Sequence, residues 1–217
     1  STVLEALDIF FNEGKGIISL DKSDINKEAN NEGDTEIIIG VEFHNLPNEI
    51  IIDTENTTTL KQEYLLNEAG HLTIIKKYPN AGKDKVFIRA LHPNNINCNN
   101  LLQMKQSDLK TKIKELGVKC DKTKNAIMRN AIWNYYIDNL ELKTTEIDAN
   151  KDETKNIWEK LKAYLPVYSL FQSDRSNSDH DKEVQDPLKE AVKQIFKEEE
   201  VAKRCQEIAE IVTQHLC

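Results

Sequence analysis

Over the first dozen residues, Val3, Leu4, Leu7, Phe10 and Phe11 recur at three- and four-residue spacing, while Glu5 and Asp8 fall off that stripe. This period predicts a helix with a wide apolar face, built to be buried. Residues 13–33 lose the period, mix their charges and carry Gly14 and Gly16, which predicts a loop with one short strand at 16–20. Runs rich in Ile and Val then follow at 35–43, 49–53, 63–67, 71–78 and 85–90, separated by Asn-Leu-Pro-Asn, Asn-Glu-Ala-Gly and Pro-Asn-Ala-Gly-Lys. Short β-branched runs between turn residues predict an antiparallel meander. Ile37-Ile38-Ile39 does not alternate with polar residues, so that strand is expected to be covered on both faces, on one side by the opening helix.

From Pro93 the pattern turns helical. Ser107-Asp108 is expected to cap a helix that ends at Gly117 and lines up Leu109, Ile113 and Leu116; residues 118–122 read as an extended link; Thr123 is expected to cap a second helix running to 140. A third helix, 152–165, carries Ile157, Trp158, Leu161 and Leu165 and stops at Pro166. Residues 167–171 (VYSLF) read as a short apolar strand, followed by a dense polar run. Asp186-Pro187 then starts a long final helix whose apolar positions, from Leu188 to Val212, approach a heptad repeat of coiled-coil type. The expected fold class is α+β: an antiparallel meander with an N-terminal core helix, then a helical region, then a long C-terminal helix. The segments are 1–92, 93–166 and 167–217.

The 217 residues, 39% apolar and 30% charged, suffice for a real core. No run of about 18 apolar residues and no charged-then-apolar leader is present, so membrane spanning and secretion lack support, and a cytoplasmic location is expected. Neither a cap nor an initiator Met precedes Ser1, and no closing cap precedes Cys217, so both ends read as cut. Cys98, Cys120, Cys205 and Cys217 form no CxxC pair and the histidines do not cluster along the chain, which indicates neither a zinc site nor a disulfide framework. A net charge of −8 argues against a nucleic-acid footprint over the whole surface but leaves room for a local one.

Ser1-Thr2 heading an apolar helix is the arrangement that follows the Gly-Lys of a phosphate-binding loop, where the first hydroxyl binds Mg²⁺; a plain helix cap is the alternative. A second candidate lies at residues 172–181, where Gln172, Asp174, Arg175 and Asp179 follow the expected strand, the end at which α/β sheets hold ligands. A solvated loop explains the same residue types.

STVLEALDIFFN at 1–12, EFHNLPNEIIID at 42–53 and LPVYSLFQSDRSNSDHDKEVQDPLKEAV at 165–192 together resemble the first lobe of RecF/SMC/OLD-like ABC-class AAA ATPases. The resemblance implies ATP held with Mg²⁺ between two heads, hence homodimerisation, and a role in DNA processing such as repair or a phage-defence endonuclease. It maps Ser1 and Thr2 onto the end of the phosphate loop and Gln172 onto the residue that senses Mg²⁺ and the γ-phosphate. The loop's glycines and Lys, the signature helix, the Walker B acidic pair and the switch His have no counterpart in residues 1–217, so hydrolysis by these residues alone is not expected.

Residues 105–129 hold eight Lys or Arg against three Asp or Glu in an acidic chain. Two helices joined by a short extended link resemble the SAP helix-extended-helix, a small DNA-binding module. That resemblance would set Lys119, Lys122, Lys124 and Arg129 against phosphates. An ordinary solvated basic face is the alternative, and with it comes a second function: a non-enzymatic nucleic-acid-binding or helical interaction module. Trp133, between Ile132 and Ile137, reads as core rather than as a base-stacking platform.

Overall fold

The computed structural model describes residues 2–13, 15–47, 49–52 and 57–170. These fall in two compact units, one holding the described residues up to Ile18 together with 167–170, the other those within Ser19–Pro166. Gln172 and the expected final coiled-coil helix lie outside the described residues, as does Ser1.

In the first unit, α1 is Thr2–Asn12. Burial runs along its second half: Asp8, Ile9 and Phe10 are buried, whereas Val3 and Leu4 are 69% and 46% exposed. The apolar stripe therefore predicts the helix correctly and its burial only in part. Asp8, off the stripe and expected at the surface, is buried because its carboxylate is used: one oxygen accepts from Asn12 Nδ2 at 2.7 Å and the other from the Ile18 amide at 2.8 Å. The second bond ties Ile18 back to the helix, and no strand forms at 16–20. A side chain at Gly16 would collide with that carboxylate. Residues 167–170, expected as a strand, are irregular. Tyr168 donates its hydroxyl to the Leu4 carbonyl at 2.9 Å and stacks on Phe11 with ring centroids 5.7 Å apart.

The second unit is α+β. Strands β1 (Glu36–Phe43), β2 (Ile50–Ile51), β3 (Thr57–Thr58), β4 (Leu72–Pro79), β5 (Lys85–Pro93) and β6 (Leu142–Asp148) are all antiparallel. The main sheet has the order β1-β4-β5-β6, and β2 with β3 forms a separate short hairpin. Helices α2 (Lys27–Asn31), α3 (Gln106–Glu115), α4 (Asn125–Tyr135) and α5 (Thr154–Leu161) accompany them.

Register assigns the faces. Ile74 pairs with Ile88 and Ile88 with Ile147, so one face carries Leu72, Ile74, Val86, Ile88, Ala90 and Ile147, all buried. Each large aliphatic side chain withdrawn from water there contributes about 2 kcal/mol. The opposite face carries Glu42, Thr73, Lys77, Arg89 and Glu146. On it Glu146 of β6 binds Lys77 Nζ of β4 at 2.7 Å and Arg89 Nη2 of β5 at 2.8 Å, which ties three strands together.

Two strand expectations are corrected. Among the described residues the triple Ile lies on an edge strand paired with β4, and Ile38 on its outer face is 55% exposed, so β1 is not covered on both sides. Residues 63–67 form a turn rather than a strand, with Tyr64 in the left-handed region at φ 53° and Leu65 fully buried.

The caps also differ from expectation. Helix α3 begins one residue before Ser107, with Lys105 at the cap position and Asp108 inside the first turn, where its charge favours the helix dipole. Thr123 does not cap α4, since its amide and hydroxyl both go to Asp121 at 2.8 and 2.7 Å, and its carbonyl accepts from Gln106 of α3. Gly117 ends α3 as expected, at φ 67°, with the Val118 amide returning to the Ile113 carbonyl.

Candidate functional site

The nucleotide-facing candidates sit at the head of α1. Thr2 opens the helix, is exposed, and lies where the first amides of the helix have no partner within it. Of the three residues expected to meet nucleotide and metal, Thr2 alone is described. Two carboxylates lie further along that helix, Glu5 in its first turn and Asp8, whose oxygens accept from Asn12 and Ile18.

The basic candidates sit on and beside the link from α3 to α4. Lys119 and Lys122 are exposed and Lys124 is half-buried at the α4 cap position. Arg129 does not share that surface. Its side chain is 2% exposed, and it grips Glu63, itself 1% exposed, in a fork: Nε to Oε2 at 2.7 Å and Nη2 to Oε1 at 3.1 Å. Thr58 donates its hydroxyl to the same carboxylate at 3.1 Å. The expectation that Arg129 meets a phosphate is therefore corrected: the helical period turns this position inward, where the guanidinium ties α4 to the turn that follows β3. Beside this pair, between that turn and α4, lies an open cleft of about 380 Å³ lined by Thr58, Gln62, Ile127, Asn130, Ala131 and Asn134.

Trp133 is core, donating its indole N–H to the Cys98 carbonyl at 3.0 Å. His92 and Tyr64 meet its ring edge to face. Burial pushes the His92 imidazole down to about 4, despite its hydrogen bonds to the backbone of Tyr64 and Asn99, so it is neutral at physiological pH. Burial likewise raises the Cys98 and Cys120 thiols, which argues against either being a reactive thiolate.

Sequence reasoning missed Glu63, because a salt-bridge partner 66 positions away leaves no local signal. It also missed a meeting of two histidines and a glutamate at one end of the sheet, described below.

Neither the hydroxyl-headed helix of the first unit nor the α+β fold of the second names a class by itself, and comparison with known proteins narrows the choice. A family model described as an AAA ATPase domain matches residues 1–216, and the chain belongs to that family. It is thereby placed in an ATP-binding class whose members generally bind ATP with Mg²⁺. No curated protein and no solved structure matches it. Among the described residues, α1 offers an exposed N-terminus headed by Thr2, a helix end of the kind that favours anions. Among the described residues, no helix is long and apolar enough to cross a membrane.

Proposed function

We propose that the chain is part of the ATP-binding head of a RecF/SMC/OLD-type ABC-class ATPase that couples nucleotide binding to DNA processing. The family match over residues 1–216 carries this reading, supported by the order of segments: a hydroxyl-headed helix, an antiparallel lobe, then a helical excursion. In this reading Ser1 holds Mg²⁺, Thr2 and the first amides of α1 face the phosphates, and Gln172 senses the γ-phosphate. The nucleotide supplies the transferable phosphoryl group, and Mg²⁺ neutralises the charge that develops on it. Two heads enclose the nucleotide, so the native gene product should double its mass on adding Mg²⁺-ATP. Light scattering checks this, and an unchanged mass overturns the dimeric ATP-clamp reading. Ser1→Ala should weaken Mg²⁺-dependent ATP binding at least tenfold.

The exposed Lys119 and Lys122 favour a second reading, in which α3, the link and α4 form a DNA-contacting helical pair. Without Arg129, residues 105–129 still present seven Lys against three acids. Reversing Lys119, Lys122 and Lys124 to Glu should weaken DNA binding and lower the salt slope by about three, at roughly 0.9 per phosphate contact. An unaltered slope removes this surface from the mechanism.

A further inference from the structure

The ladder between β1 and β4 ends with Phe43 opposite Leu72 and Glu42 opposite Thr73. Extending that register by one pair sets His44 across from His71. Because side chains two apart on a strand share a face, Glu42, His44, His71 and Thr73 emerge together on the polar side of the sheet. The contacts agree. His71 Nδ1 lies 2.8 Å from Glu42 Oε1, His44 Nε2 lies 3.7 Å from the same oxygen, and the two imidazole rings are 3.9 Å apart between centroids. One ligand atom from each of the three residues lies within 4.8 Å of the other two.

The surroundings fix this arrangement. Glu42 Oε2 accepts from Asn67 Nδ2 at 2.8 Å and from Thr73 Oγ1 at 3.4 Å, which leaves Oε1 turned toward both histidines. Asn67 also accepts the His71 and Ala69 amides on its Oδ1, both at 3.0 Å, and so holds the turn from which His71 projects. A carboxylate anchored through one oxygen and a ligand loop held by a second side chain are the outer-shell supports that metal ligands use. The three side chains are 42%, 57% and 30% exposed in the order Glu42, His44, His71, so the remaining coordination positions open to water.

We propose that Glu42, His44 and His71 bind a divalent cation of the zinc class, with water completing the shell. Two imidazoles and one carboxylate favour Zn²⁺, Co²⁺, Ni²⁺ or Cu²⁺ over Mg²⁺ or Ca²⁺, which prefer all-oxygen shells. Ligand atoms about 2.1 Å from a tetrahedral metal stand roughly 3.4 Å from each other, between the 2.8 and 3.7 Å that separate Glu42 Oε1 from the two histidine nitrogens. The site joins the end of β1 to the start of β4 and is separate in sequence from the residues assigned to ATP.

Isothermal titration of the 217-residue chain with Zn²⁺ tests this, run beside His44→Ala, His71→Ala and Glu42→Gln. The ligands are surface groups outside the core, so the metal-free variants should melt like the parent. The site requires Zn²⁺ to bind more tightly than Mg²⁺ and each of the three variants to lose at least tenfold in affinity. Asn67→Ala, which removes the support and no ligand, should lose affinity too, by about tenfold. Parental affinity in any one of the three ligand variants overturns the site, since the remaining histidines and thiols would then be the ligands. Should a variant misfold, the NMR signals of His44 and His71 in the parent decide: both must shift on adding Zn²⁺, and a failure of either overturns the proposal.

Discussion

Two of the charged groups that join elements of the second unit differ in what surrounds them. Glu63 and Arg129 meet in the core, forked and joined by Thr58, with almost no exposure. Glu146, Lys77 and Arg89 meet on the polar face of the sheet at equally short distances, with Arg89 nearly half exposed. Distance alone would rank them together. Solvent separates them: a buried ion deprived of its partner retains its desolvation cost, whereas an exposed one is taken up by water.

The largest expected effect follows from the buried pair. Arg129→Ala should destabilise by about 3–5 kcal/mol, because it strands the Glu63 carboxylate and leaves a cavity along α4. Replacing both partners by apolar residues, Glu63→Leu with Arg129→Met, should recover most of that loss. Urea midpoints of the single and double variants measure the difference, and a double variant no better than Arg129→Ala would mean that packing, not the orphaned charge, dominates.

How far these features were legible in the sequence depends on whether their cause is local. The periods of α1, α3, α4 and α5 and the β-branched runs of β1, β4 and β5 are local signals, and each element forms at its pattern, although α4 stops at Tyr135 rather than 140 and α5 at Leu161 rather than 165. Strand β6 escaped because its first residues, Leu142 to Thr144, are exposed at a sheet edge, so LKTTEID never acquires an apolar alternation. The stretch 63–67 misled for the opposite reason: Leu65 is apolar because it is buried within a turn. In α1, Asp8 lies off the apolar stripe and is nevertheless buried, because the returning chain brings it the Ile18 amide. Arg129 counted as one basic residue among eight until its position on the inner face of α4 was known. His44 and His71 are meaningful only as a pair, and only strand register pairs them. Of the residues assigned to nucleotide, Thr2 alone is described, and what the sequence made legible there is the family rather than the geometry of a site.

His92 extends the contrast to a group that is buried and carries no charge. Its imidazole is held down to about 4 in the folded chain, against 6.5 when free. Between those values the unfolded chain binds the extra proton. The stabilisation from keeping His92 neutral is therefore complete above about pH 6.5 and is lost as pH falls toward 4, an effect of about 3 kcal/mol. Unfolding curves collected across that range should fall steadily for the parent. His92→Leu, which removes the titrating group, should start less stable at neutral pH and fall less steeply, and an unchanged slope would assign the acid sensitivity to other groups.

The smallest effect belongs to the exposed group. Lys77, first, and Arg89 hold the Glu146 carboxyl below its ordinary value, so its stabilisation is present above about pH 4.5 and lost as pH falls through the lowered value. Glu146→Ala should cost no more than about 1 kcal/mol at low salt, since both cations regain water when it goes. Added salt should shrink that difference further, because the pairing competes with screening ions over a Debye length of about 10 Å at 0.1 M. The Arg129→Ala cost should hardly change over the same salt range. If both costs fell in parallel with salt, water would reach the Glu63–Arg129 pair as freely as it reaches Glu146, and the distinction between the two groups would fail.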